Sequence, residues 1–282
     1  MINKPGDLLR GYVQVASLPV IYTKINEAVN NPRSSMRDIS MIISDDPGLT
    51  SRLLQLVNSA FYGYPNKIET ISRALLIVGT QQLRDLALAT SIMSLFEGIS
   101  GDLVTMESFW KHSITCGVAA KIIATYQREP QVERFFVAGI VHDIGRLIIY
   151  KKAAEEAREA LLYCKTNAEL LYSVEKKIIG VDHCEVGRAL LQSWNLPPLL
   201  NEVVSFHHTP YSATLYPVET AIVHVADIIA HGMRFGTSGE AFIPPLNKKA
   251  WDLLNLPISS LSPILDQLER DLVDVERTIL GK

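Results

Sequence analysis

The chain has 282 residues, with 27 lysines and arginines against 30 aspartates and glutamates, a net charge of −3 and an apolar share of 48%. The length suffices for one large domain or two ordinary ones, and the composition excludes a disordered or fibrous chain. The slight negative balance excludes a broad basic field for nucleic acid or an anionic membrane surface. Cys116, Cys164 and Cys184 stand singly, which argues against a disulfide framework or a thiolate zinc cage. The first residues, MINKPGDLLRGYVQV, hold no long apolar run of a secretory leader, and every apolar run is broken before about 18 residues. The expected setting is therefore the cytosol, with no membrane partner.

Helical periodicity runs through almost the whole chain. After SDDPG, where Asp45 or Asp46 can cap and Pro47 suits a first turn, Leu53, Leu54, Leu56 and Val57 recur at helical spacing. TISRALLIVG starts at a capping Thr70 and stops at Gly79, and a further helix follows after one residue. Phe61, Tyr62 and Tyr64 fall between helices, as aromatics folded onto the core or as a lip on a site. Trp110 and Trp194 read as core anchors. SWNLPPLL reads as a helix end at Asn195 with Pro197 or Pro198 opening the next helix. Ser262 and Pro263 open a last amphipathic helix with Ile264, Leu265, Leu268, Leu272 and Val275 on one side. EGISGD (residues 97–102) marks a boundary, and GTSGEAFIPPLN (236–247) reads as a long surface loop. No run alternates at period two for long enough to argue for a sheet, so the expected fold is all-α. A helical bundle over 1–97 would pack on a second helical subdomain over 98–282.

All seven histidines lie between positions 112 and 231. His112 shares a helical stripe with Cys116, Ala119 and Ile123. His142 and Asp143 interrupt the apolar run FVAGIVHDIGRLIIY, where an ionised carboxylate costs several kcal/mol unless something offsets its charge. Adjacent helical residues diverge by about 100°, so the pair can share an ion only if the helix stops there, and Gly145 offers a loosening point. His183 opens a helix, and His207 and His208 stand before Pro210. Thr220, His224, Asp227 and His231 form a polar row, either a solvent-facing strip or part of a site. Imidazole and carboxylate together suit zinc, iron, manganese or a similar divalent ion. A cation would also offset the Asp143 charge directly. Cys116 and Cys184 read as small buried hydrophobes rather than thiolate ligands.

An upstream His, then His-Asp, then a distant Asp is the ligand order of the HD phosphohydrolase superfamily, and His112, His142, Asp143 and Asp227 fit it. More closely, the chain resembles the HDOD family, the HD-related output domain of bacterial signalling. LPVIYTKINEAV, IISDDPGLTSRLLQLVNSAFYG and ISRALLIVGTQQLRDLAL are similar to its N-terminal half. FWKHS, AGIVHDIGRLI, DHCEVGRALLQSWNLPPLLNEVVSFHHTP and VHVAD are similar to its HD-like half. The resemblance implies a regulatory or scaffolding module that acts on a signalling partner. Many HDOD modules have lost metal ligands, whereas this chain keeps His112, His142, Asp143 and Asp227. His183, His207 and His208 match positions of a second metal site in the related HD-GYP phosphodiesterases, but Thr209-Pro210 follows the double His and no Gly-Tyr-Pro occurs.

Two readings follow. The first is a signalling module with a structural or sensory metal. The alternative is a metal-dependent phosphohydrolase acting on a phosphate-containing ligand. In the alternative, Asp143 would bridge two ions, Glu185 could act as a base, and Arg146, Lys111 or Arg188 could meet phosphate. Arg146, Lys111 and Arg188 each read more readily as a solvated surface charge, and Glu185 reads also as a residue favoured by the helix dipole. SRALLIVGTQQLRDLAL has the helix–turn–helix outline of a DNA reader, but Arg73 and Arg84 are too few for a phosphate footprint.

Overall fold

A computed structural model describes residues 4–9, 18–59, 61–96 and 103–280. In chain order the helices are α1 (Pro5–Leu9), α2 (Val20–Asn30), α3 (Met36–Ser44), α4 (Pro47–Val57), α5 (Ile71–Val78), α6 (Thr80–Leu95), α7 (Met106–Tyr126), α8 (Glu133–Val141), α9 (Ile144–Lys152), α10 (Ala154–Asn167), α11 (Leu171–Ile178), α12 (His183–Ser193), α13 (Pro198–Phe206), α14 (Pro217–Met233), α15 (Lys248–Leu254) and α16 (Leu261–Leu280). The described residues contain no strand, so the fold is all-α. The boundary read in EGISGD lies outside the described residues. Among those described, no helix is long and apolar enough to cross a membrane.

The chain divides into two compact units. One takes in Leu18–Leu95 and Leu265–Lys282, the other Met1–Ser17 and Phe96–Ile264. In the first, local chemistry sets the helix starts. Ser35 and Asp38 form a reciprocal capping box on α3. Asp46 accepts from the Leu49 amide with Pro47 in the first turn of α4, and Thr70 accepts from the Arg73 amide at α5. Gly79, at φ 101°, ends α5. The interior is aliphatic: Ile25, Ile43, Leu53, Leu56, Leu83 and Leu86 are fully buried. Two of its buried hydroxyls find local partners, Ser59 on the Leu56 carbonyl and Thr90 on that of Leu86, while Ser40 meets the Ser72 hydroxyl of α5.

The second unit is built around α7, capped by Thr105 and buried from Phe109 to Ala124 apart from Lys111. Helix α7 crosses α8 where Gly117 meets Gly139; a Cβ on Gly139 would stand 2.6 Å from the Gly117 Cα. A second close crossing joins α9 to α12. A Cβ on Gly145 would stand 2.0 Å from the His183 carbonyl oxygen and 2.7 Å from the Gly187 amide. Gly145 therefore does not loosen the chain, as its place beside His142-Asp143 suggested. It lets two backbones touch, and that contact brings Asp143 to His183. The segment 236–247 also differs from a plain surface loop, since Ser238 and Glu240 are buried. Glu240 accepts from the Leu171 amide at 2.6 Å, and the Tyr150 hydroxyl donates to the Ser238 carbonyl at 2.5 Å.

Candidate metal centre

The helix carrying His142 does stop there: α8 ends at Val141, and Asp143 is the N-cap of α9. The bend turns both side chains to one side, where they meet α7 and α14. His112 Nε2 lies 3.1 Å from Asp227 Oδ1 and 3.9 Å from Asp143 Oδ2. His142 Nε2 lies 3.3 Å from Asp227 Oδ1 and 3.4 Å from Asp143 Oδ2. The other Asp143 oxygen faces a second group. Oδ1 is 3.1 Å from His183 Nε2 and 3.7 Å from His207 Nε2. His183 Nε2 in turn lies 3.4 Å from His207 Nε2 and 3.2 Å from His208 Nε2. The seven residues singled out in the sequence thus form two adjoining groups, with the carboxylate of Asp143 between them. All but His208 are at most 2% exposed.

The protons explain why a cation fits. His142 Nδ1 donates to the Gly139 carbonyl at 2.7 Å, His183 Nδ1 to Glu175 Oε2 at 2.6 Å, and His207 Nδ1 to the Val204 carbonyl at 3.1 Å. In a neutral ring each such bond leaves Nε2 as a bare lone pair. In those tautomers the Nε2 lone pairs of His142, His183 and His207 face one another and carboxylate oxygens. Indeed His112 Nε2, His142 Nε2, Asp143 Oδ1 and Asp227 Oδ1 are buried and make no hydrogen bond. Converging acceptors repel unless a cation or additional protons lie among them. Separations of 3.1–3.4 Å also match the edges of a coordination shell whose bonds are about 2.1 Å. Orienting the far ring nitrogen by a carbonyl or carboxylate is how proteins aim metal-binding imidazoles. The donor set therefore fits a divalent ion at each group.

Several residues have roles that sequence spacing alone did not disclose. Arg146 is fully buried rather than a solvated surface charge. Its Nη1 donates to Ser238 Oγ at 2.7 Å and lies 3.4 Å from Asp143 Oδ2, and its Nε is 3.8 Å from Glu175 Oε1. Burial pushes the Asp143 carboxyl up, but Arg146, His142 and His183 hold it well below the usual carboxylate range. Burial acts likewise on Asp227, and His231, His112 and His142 outweigh it. Glu175, buried beside exposed Lys176 and Lys177, carried no signal in the sequence except its partner His183, to whose amide it also bonds at 2.9 Å.

The polar row on α14 is buried, not a solvent strip. Its members differ in role. His231 joins the first group, with Nε2 3.3 Å from Asp227 Oδ1. His224 does not join, because both its nitrogens are satisfied: Nδ1 donates to the His207 carbonyl at 2.7 Å and Nε2 accepts from the Asn247 amide at 2.9 Å. Glu185 is held away from the groups in a capping box with Asp182 and by Lys176 at 3.0 Å. Lys111 pairs with Glu107, and Arg188 is exposed. A cleft of about 530 Å³ reaches the second group from outside, bordered by Tyr172, Lys176, Cys184, Arg188 and His208.

Comparison with known proteins adds the following. The HDOD domain model matches residues 15–210. An HDOD domain protein of unknown function from Geobacter sulfurreducens superposes with a TM-score of 0.75 at 24% identity, covering 93% of this chain and 91% of that one. A protein described as a "putative metal-dependent phosphohydrolase" from Shewanella amazonensis superposes with a TM-score of 0.69 at 20% identity, covering 99% and 100%. These likenesses show the fold. An uncharacterized protein of Treponema pallidum is 27% identical over 205 residues, 72% of this chain and 39% of that relative, so the chain spans well under half of its length.

Proposed function

This chain belongs to the HDOD family, and on that premise we propose that it is a signal-transduction module acting through partner proteins, with a divalent metal centre inside its larger unit. The observation that carries the reading is that the charged groups around the centre, Arg188 apart, have ionic partners within the chain. Arg146 is matched by Asp143, Glu175 and Ser238, Lys176 by Asp182 and Glu185, and Glu185 by the start of α12. A phosphohydrolase would need a cation aimed at phosphate and an acid or base within reach of the reacting atoms.

The residues that would hold the metal are His112, His142, Asp143 and Asp227 in one group and Asp143, His183, His207 and His208 in the other. When bound, the ions would supply Lewis acidity and offset the two buried carboxylates. The chain's own residues do the rest. Gly139, Glu175 and Val204 fix the ring orientations, and Arg146 holds Asp143 ionised. A phosphohydrolase reading draws on one observation, the cleft in which exposed Arg188 lies near His208. Assaying phosphomonoesters, nucleotides and cyclic dinucleotides with metal-loaded protein separates the two. The module reading expects metal without turnover; turnover abolished by Asp143→Ala overturns it.

A further inference from the structure

We infer that Cys184 is a ligand in the second group, adding a thiolate to His183, His207, His208 and the Asp143 oxygen already there and suiting the group to a thiophilic divalent ion such as zinc or iron. The inference rests on the metal-centre reading above and goes beyond the His/Asp pattern, which assigns no sulfur to either ion.

Geometry carries the argument. Cys184 follows His183 as the second residue of α12, and the two side chains reach the same space. Cys184 Sγ lies 3.5 Å from His183 Nε2. One ligand atom from each of His183, Cys184, His207 and His208 falls within 4.8 Å of all the others. Bonds of about 2.1 Å to nitrogen and 2.3 Å to sulfur place neighbouring donors around one ion roughly 3.0–3.6 Å apart. The separations of His183 Nε2 from His208 Nε2, His207 Nε2 and Cys184 Sγ, at 3.2, 3.4 and 3.5 Å, fit those edges.

Charge leads the same way. The first group holds Asp227 and one oxygen of Asp143, whereas the second has only the other oxygen of Asp143 as an anion beside its three imidazoles. A thiolate supplies the missing anion. As the metal–sulfur bond forms, the S–H proton leaves to solvent, and the first turn of α12 favours the anion. Softer sulfur then selects zinc or iron over magnesium or calcium. The reading of Cys184 as only a small buried hydrophobe does not account for its place among three imidazoles.

Cobalt(II), added alone to chelator-stripped full chain, tests this by absorption spectroscopy. The wild type is expected to show an intense thiolate-to-cobalt charge-transfer band. The band should persist in Cys116→Ser, which alters the thiol near the first group, and disappear in Cys184→Ser. Zinc-edge X-ray absorption of the wild type needs no variant and should show sulfur at about 2.3 Å. Cobalt bound at both groups with no such band, or a band lost in Cys116→Ser instead, overturns the role of Cys184 and leaves the metal centre standing. A chain that binds no cobalt overturns both.

Discussion

The two units are both helical, but their interiors are held together differently. In the unit of Leu18–Leu95 and Leu265–Lys282 the buried side chains described are mostly aliphatic, with Tyr22, a few hydrogen-bonded hydroxyls and no buried charge. In the unit around α7 the buried set includes His112, His142, Asp143, Arg146, Glu175, His183, His207 and Asp227. The first interior follows from hydrophobic burial alone. The second combines that burial with a charge balance that removal of one member upsets, because an uncompensated buried charge costs far more than a lost methylene.

Substitution separates the two most strongly. Asp143→Ala removes the shared carboxylate and leaves Arg146 buried with one partner fewer. A loss of about 3–5 kcal/mol is expected, together with loss of metal from both groups. Leu53→Ala in the other unit is expected to cost about 2–5 kcal/mol through its cavity while metal content stays unchanged. Denaturant unfolding and elemental analysis of both variants check the contrast; equal metal content would collapse it.

Acid gives a smaller effect with a definite sign. The folded-state pKa values of Asp143 and Asp227 are depressed. Their contribution to stability is therefore fully present above the ordinary aspartate value, about 3.9, and is lost as pH falls through the depressed values. Trp110, Trp194 and Trp251 all lie in the α7 unit. Tryptophan emission is thus expected to change below about pH 4 before the helical circular dichroism is fully lost. Coincident transitions would show that the buried carboxylates do not set the acid limit of their unit.

Much of the first interior was legible in the sequence, because caps and apolar periodicity act within a few residues. Asp46, Thr70 and Gly79 bound their helices as spacing implied. The second interior was legible by residue type but not by arrangement. His and Asp in apolar runs announced a buried polar centre. The engagement of Arg146 by Ser238, 92 positions away, the orienting Glu175, and the division of the rings between the two oxygens of Asp143 depend on the α9–α12 contact through Gly145. His224 and His231, on one helix and alike in the sequence, part because the His207 carbonyl and the Asn247 amide engage both nitrogens of His224. No local pattern encodes such meetings.

The most direct measurement is metal content paired with thermal unfolding, followed by tryptophan emission with and without a strong chelator. Protein equilibrated with zinc or iron and then freed of excess should retain ions, lose them in the His142→Ala, Asp143→Ala double variant, and melt at lower temperature once the wild type is stripped. A native chain that retains no ion and melts identically with chelator and with added zinc would contradict the account, leaving those rings and carboxylates balanced by protons alone.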